Sequence, residues 1–248
     1  MEAWHWLKTA CEEGFRRNSR FLVLGWIGGV VICLFAVWAG DGIYYYLDFR
    51  WSGKPLSGLM SLASGFCLVA CGWGLLVGAR RAMRRPGGGG EAAAWLIAGL
   101  GSIWLAFDEV AQIHESLAML MEQTKLPRPF GVLDYDLYIF GAYAVALVVV
   151  LWMLWPARRA LEPVMLPLSV AIVCFAISEM MDQVPWDQLT REGQKWVGSI
   201  EEVSKTLGCW TLAMCGLLCA DASEEGLRGK AASPDAGPSR PGPAPARD

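Results

Sequence analysis

The sequence predicts an all-α integral membrane bundle of about six transmembrane helices. Residues of hydrophobic type make up 54% of the 248-residue chain. They fall into blocks of roughly 16 to 24 residues, the length that crosses a hydrocarbon core of about 30 Å. Because backbone polar groups in lipid must be satisfied within the segment, helices are the expected form. Strands of an outer-membrane barrel would be about 10 residues long and alternate in polarity, and these blocks do neither.

The six predicted spans are separated by short charged or Gly/Pro-containing segments. They cover residues 21–40, 56–79, 92–115, 137–155, 164–181 and 198–220. The first apolar run is too long for a signal-peptide core and no clear cleavage site follows it, so we expect a retained helix. The preceding residues 1–20 form a basic, amphipathic cytoplasmic start. Residues 221–248 are rich in Ala, Gly, Pro, Ser and charge, which predicts a disordered cytoplasmic tail.

The distribution of Lys and Arg predicts the orientation. Fourteen flank one side of the predicted spans and six flank the other. The positive-inside rule then places both termini in the cytoplasm, which requires an even number of spans. We expect a multi-pass protein of the bacterial inner (cytoplasmic) membrane, with the lipid bilayer as its partner. Nucleic acid is not an expected partner, because the basic residues flank the membrane and no Walker loop or dinucleotide fingerprint occurs.

Two apolar runs are too short for a full crossing. Residues 92–107 would form a helix only about 24 Å long, so Asp108 and Glu109 should enter the outer membrane boundary. Residues 207–220 are shorter still and should bring Glu201 to similar depth. Ionisable groups at this depth are costly and usually face a bundle interior or a wet cavity. The shortfall therefore predicts a polar site at the outer rim.

Several carboxylates and one imidazole are the candidate metal ligands of this site. On a continuous helix, Asp108, Gln112 and Glu115 lie within about 60° of one another, whereas His114 projects about 120° away from Asp108. We therefore expect His114 to reach a different neighbour. With Glu179 of the fifth span, the set suits a divalent ion such as Zn, Mn, Fe or Mg. The predicted metal ligands are Asp108, His114, Glu115 and Glu179.

The remaining acids could act as bases or have purely structural roles. Glu109 or Glu201 is the candidate base that activates water, and either could exchange roles with the ligands. Crowded carboxylates without a metal would instead suit acid/base work or proton coupling. Ser199-x-x-Glu202 also fits a capping box that opens the sixth helix. Glu201 or Glu202 with Lys205 could be a structural ion pair, and His114 could bond a backbone carbonyl.

The segment 107–115 carries a family resemblance. Its Asp108-Glu109 and His114-Glu115, with the later Glu201-Glu202, resemble a functionally uncharacterised group of bacterial polytopic membrane proteins. That group is marked by a DE-x4-HE helix and a later EE helix. The resemblance covers the third to sixth helices and implies no activity.

A partial similarity to the PrsW-like glutamate-type intramembrane proteases rests on two short motifs. Glu201-Glu202-x-x-Lys205 matches their EExxK element, and Phe175-x-x-x-Glu179 matches FxxxE. The third element, HxxxD, fails at His114, and the order of the elements differs.

Three classes of function follow from these patterns. The first is a metal-dependent membrane-embedded hydrolase acting on a lipid or membrane-peptide substrate. The second is a proton- or cation-coupled transporter, although the helices show no obvious inverted repeat. The third is a non-enzymatic structural or sensory membrane protein. Convergence of the predicted site residues in space would favour either of the first two.

Overall fold

The structure, a computed structural model, describes residues 20, 23–31, 34, 59–124, 126–129, 135–185 and 188–231. Every regular element in these residues is helical. The helices are α1 (Leu59–Met83), α2 (Gly89–Ala111), α3 (Ile113–Gln123), α4 (Asp136–Leu154), α5 (Met165–Asp182) and α6 (Arg191–Ala231). Three single turns, Trp155–Ala157, Arg158–Leu161 and Glu162–Val164, connect α4 to α5.

Five of these helices are long and apolar enough to cross a membrane, namely α1, α2, α4, α5 and the part of α6 that ends at Ala220. Half of the predicted first span, residues 21–40, lies outside the described residues, and residues 23–31 and 34 are helical. The total of six spans and the cytoplasmic position of the termini stay predictions.

The bundle is built around α1, which packs against α2 on one side and α6 on the other. Packing of α1 on α6 brings two backbones into contact, because a Cβ added to Gly74 would overlap the carbonyl group of Gly216. Small residues allow this close approach between membrane helices. Helix α5 packs on α6, whereas α4 packs mainly against α2 and α3 at the edge of the bundle.

The predicted continuous helix over residues 92–115 is wrong. Helix α2 ends at Ala111 because Gln112 adopts the left-handed conformation, with φ 52° and ψ 46°. Gln112 is the one non-glycine residue with positive φ in the described part of the chain. Its backbone N–H bonds the carbonyl of Asp108, and α3 starts in a new direction at Ile113. No Gly or Pro marks this break in the sequence.

Helix α6 begins at Arg191 rather than at the predicted residue 198. Thr190 caps it, since the backbone N–H of Gly193 donates to Thr190 Oγ1 at 3.2 Å. Ser199 and Glu202 therefore lie inside the helix, and the capping-box alternative is wrong. The helix continues to Ala231, so residues 221–231 of the predicted disordered tail are helical. The rest of that tail lies outside the described residues.

Candidate functional site

An aspartate and a histidine form the first polar centre, at the junction of α2, α3 and α4. Asp108 is buried, with 3% of its surface exposed. Its Oδ1 accepts a hydrogen bond from the backbone N–H of His114 at 2.7 Å and lies 3.1 Å from His114 Nδ1. Its Oδ2 accepts a hydrogen bond from the Tyr143 hydroxyl of α4 at 2.9 Å. We call Asp108 and His114 the Asp–His pair.

The geometry of the Asp–His pair fixes the tautomer of the imidazole. An ionised carboxylate can only accept, so the proton of this contact resides on His114 Nδ1. Phe140 of α4 packs on the ring, with 5.5 Å between centroids. The His114 side chain keeps 16% of its surface exposed. The imidazole is thus held in one orientation while part of it stays accessible.

Charge around His114 favours its protonated form. Burial lowers the pKa of the imidazole, but the hydrogen bond and the negative charge of Asp108 raise it, aided by the charges of Asp136 and Glu115. The net result is a pKa above the ordinary value of histidine. An imidazole with such surroundings can bind and release a proton near neutral pH.

A second polar centre lies between α2 and α6, and we call it the lysine cluster. Lys205 Nζ donates to Glu202 Oε1 at 2.8 Å and lies 3.5 Å from Glu109 Oε1. Glu109 and Glu202 are 9% and 6% exposed. The ion-pair alternative for Glu202 and Lys205 is therefore confirmed. The cluster also includes Glu109 of another helix, so one ammonium faces two buried carboxylates.

The two centres are linked through consecutive residues of α2. Asp108 and Glu109 point in directions about 100° apart around the helix axis. One therefore faces α3 and α4, and the other faces α6. Adjacent residues in the last turn of α2 thus belong to the two polar centres, Asp108 to the Asp–His pair and Glu109 to the lysine cluster.

The other predicted site residues have separate partners. Glu115 accepts a hydrogen bond from Gln112 Nε2 at 3.0 Å. Glu179 accepts one from Gln183 Nε2 at 3.1 Å, near the end of α5. Glu201 is half-buried on α6, next to Glu202.

The structure brings two of the four predicted metal ligands, Asp108 and His114, into direct contact, and Glu115 and Glu179 interact electrostatically with His114. No group of three or more His, Cys, Asp or Glu side chains is arranged to hold a metal ion in the described residues. The metal site stays a prediction. The expectation that His114 turns away from Asp108 is wrong, because it assumed an unbroken helix.

Sequence reasoning missed Tyr143 and Trp104. Trp104 Nε1 donates to the Tyr143 hydroxyl at 3.4 Å, which in turn donates to Asp108. The signal that could have found Tyr143 is its position inside an apolar run, where its hydroxyl needs a protein partner. The Tyr143 bond attaches α4 to the Asp–His pair.

The helices and their polar centres define the class of the molecule. Five helices are long and apolar enough to cross a membrane, and ionisable side chains are buried between them. This is a helical multi-pass membrane protein.

The chain belongs to the family described as a domain of unknown function, DUF8692, whose model matches residues 48–220. That match contains both polar centres. No curated protein and no solved structure matches the chain significantly. The comparisons do not show the similarity to PrsW-like proteases.

Proposed function

We propose that the chain is a proton-coupled membrane protein of the transporter class, with the Asp–His pair as its proton-binding group. The observation that carries the proposal is the saturation of the Asp108 carboxylate by donors. The His114 backbone N–H, His114 Nδ1–H and the Tyr143 hydroxyl all point at it. With the carboxylate held as an acceptor, the imidazole is the group that exchanges a proton.

The position of His114 suits proton exchange with one side of the membrane. It lies on α3, outside the candidate spans, and keeps part of its side chain accessible. The predicted orientation puts this end of the bundle at the outer face of a bacterial inner membrane. A proton arriving there would meet His114 first.

The lysine cluster supports coupling to the bundle interior. Ionisable side chains buried between membrane helices are typical of proton relays and ion pathways. Glu109 is covalently adjacent to Asp108 and ion-paired with Lys205. A change in charge at the rim therefore acts on a buried charged group of the next residue.

The experiment uses the fact that the chain has two histidines, His5 and His114. The purified protein would be reconstituted into liposomes that hold a pH-sensitive dye. Proton entry would be measured after a pH step, with the membrane potential clamped by potassium and valinomycin. We expect His114→Gln and Asp108→Asn to abolish the flux and His5→Gln to retain it. Equal flux from wild type and His114→Gln would refute the proposal.

A second candidate is a membrane-embedded hydrolase acting on a lipid or membrane-peptide substrate. The observation that favours it is the Nδ1 contact with Asp108, the arrangement that orients a histidine general base toward water or a nucleophile. Asp108, His114, Glu115 and Glu179 stay the predicted ligands of a divalent metal in such an enzyme. Hydrolysis of a fluorogenic phospholipid or peptide that is lost in His114→Gln, with metal analysis of the same sample, would support this candidate.

A further inference from the structure

The Asp–His pair exists only because the chain breaks at Gln112. In an uninterrupted α-helix, two residues six positions apart are separated by about 9 Å along the axis and about 120° around it. Asp108 and His114 could not touch in that geometry. In the structure they make two hydrogen bonds, one through the His114 backbone and one through its ring.

One local hydrogen bond is specific to the break. The Gln112 backbone N–H donates to the Asp108 carbonyl, as it would in a continuous helix, and the Gln112 side-chain amide donates to Glu115 Oε1 three residues on. The Asp108 carboxylate satisfies the backbone N–H of His114, which α3 leaves without an intrahelical partner in its first turn. Asp108 thus stabilises the break through its side chain.

The same segment is also suited to a straight helix. A left-handed backbone is unfavourable for any residue with a Cβ, and the sequence from 102 to 123 has neither Gly nor Pro. Helix α3 contains no buried residue. Straightening would therefore remove strain at Gln112, at the cost of the contacts that His114 makes with Asp108 and Phe140.

From these opposing features we propose that Gln112 is a hinge that switches the proton-binding site on and off. In the broken form the Asp–His pair is assembled, and in the straight form α2 and α3 merge and the pair separates. Gln112 acts here as a positioning residue. The consequence for proton binding rests on the proposed function, whereas the hinge itself does not.

The charged and titratable groups around His114 come from four helices, α2, α3, α4 and α5. Asp108 comes from α2, Glu115 from α3 itself, and Asp136 from α4. The Tyr143 hydroxyl of α4 shares the Asp108 carboxylate, and the Glu179 carboxylate of α5 also interacts electrostatically with the ring. In the straight form His114 would move away from the groups on α2, α4 and α5, and Glu115 would move with it.

The test compares three substitutions at one position. Gln112→Gly relieves the left-handed strain and should favour the broken form by about 5- to 30-fold. Gln112→Asn tolerates the left-handed region and serves as the conservative control. Gln112→Val disfavours the left-handed region and should lower the ratio of the broken to the straight form about tenfold or more. Gln112→Val combined with Asp108→Ala also removes the side chain that stabilises the break.

The readout is the distance between spin labels on the exposed positions Ile97 and Leu120. Labels carried by non-canonical amino acids leave the native cysteines unchanged. A straight helix predicts about 35 Å between the two backbones, and the broken form predicts a shorter distance. Wild type, Gln112→Gly and Gln112→Asn should show the short distance, and the Gln112→Val/Asp108→Ala protein should show the long one.

A short distance in the double variant would overturn the hinge. A long distance that leaves proton flux unchanged would uphold the hinge and overturn the proposed function. The two failures are thus distinguishable. Wild type at the long distance would also overturn the hinge as proposed.

Discussion

The substitution Asp108→Asn isolates the charge of the Asp–His pair from its shape. The carboxamide oxygen can still accept from the His114 backbone, so the break at Gln112 should persist. The negative charge beside the imidazole is lost. For unit charges 3.1 Å apart and an effective dielectric constant of about 20, the attraction is at most about 5 kcal/mol.

Loss of this attraction should lower the pKa of His114. Burial already opposes the protonated ring, and in the wild type the hydrogen bond and charge of Asp108, with the charges of Asp136 and Glu115, outweigh it. Each 1.4 kcal/mol removed lowers the ratio of protonated to neutral imidazole about tenfold at a given pH. We expect this ratio to fall at least tenfold in Asp108→Asn.

The assay is an NMR titration of isotope-labelled histidine in lipid nanodiscs. The chain has two histidines, and the His5→Gln variant assigns the signals. The wild-type pKa should lie above that of free histidine, and the Asp108→Asn pKa should lie below the wild-type value. An unchanged His114 pKa in Asp108→Asn would show that the carboxylate does not control the imidazole, and the reasoning would fail.

The same charge predicts how stability depends on pH. The folded-state pKa of His114 is raised. The stabilisation that protonated His114 gives to the folded state is therefore fully present below the unfolded-state pKa. That contribution is lost as pH rises through the folded-state pKa. Thermal unfolding temperature should therefore fall across this window in the wild type. In Asp108→Asn, where burial dominates, the fall should vanish or reverse.

Three further substitutions test the contacts around the two polar centres. Tyr143→Phe removes the donor to Asp108 Oδ2 and should cost about 1.5–3 kcal/mol of unfolding free energy, measured by thermal or denaturant unfolding in detergent. Lys205→Met leaves two carboxylates buried without their ammonium and should cost about 3–5 kcal/mol by the same measurement. Gly74→Ala inserts a methyl group into the backbone of Gly216 and should cost about 1–3 kcal/mol or more, seen as a lower yield of folded protein and a lower unfolding temperature.

Matched controls make each of these outcomes decisive. Tyr138→Phe removes an exposed hydroxyl bond to Pro127 and should change stability little. Lys195→Met is the same substitution near the start of α6, and Gly101→Ala adds a methyl group where no heavy atom lies within 4 Å. If a test variant and its control behave alike, the contact assigned to that side chain is wrong.

The sequence predicts the helical spans well because lipid leaves the backbone few options. The runs that became α1, α4 and α5 are recognisable from apolar length alone, and the structure gives each a helix near the predicted bounds. The depth argument also identified Glu109, and the spacing within the sixth span identified Lys205 as an ion-pair partner of Glu201 or Glu202. The helix that each of these residues faces depends on packing between distant segments. A single sequence does not show that packing.

The break at Gln112 could not be predicted, for a specific physical reason. Helix ends are read from Gly, Pro and short polar caps close to the end, and none of these precedes Ile113. The group that satisfies the His114 backbone is a side chain six residues upstream. The prediction assumed a helical conformation at Gln112 and therefore placed His114 away from Asp108. In the structure the two side chains are in direct contact.

The pairing of Glu109 with Lys205 has a consequence for biogenesis. Glu109 belongs to the candidate span α2, but its cation lies on α6, which is the last in chain order of the described helices. Until α6 inserts, the nascent protein has a carboxylate at membrane depth with no ammonium beside it, a condition that is costly in lipid. Arrival of α6 neutralises that charge and completes the backbone contact at Gly74 and Gly216. Chains truncated before α6 should therefore be retained by insertion factors or degraded by membrane proteases, so that only complete bundles accumulate.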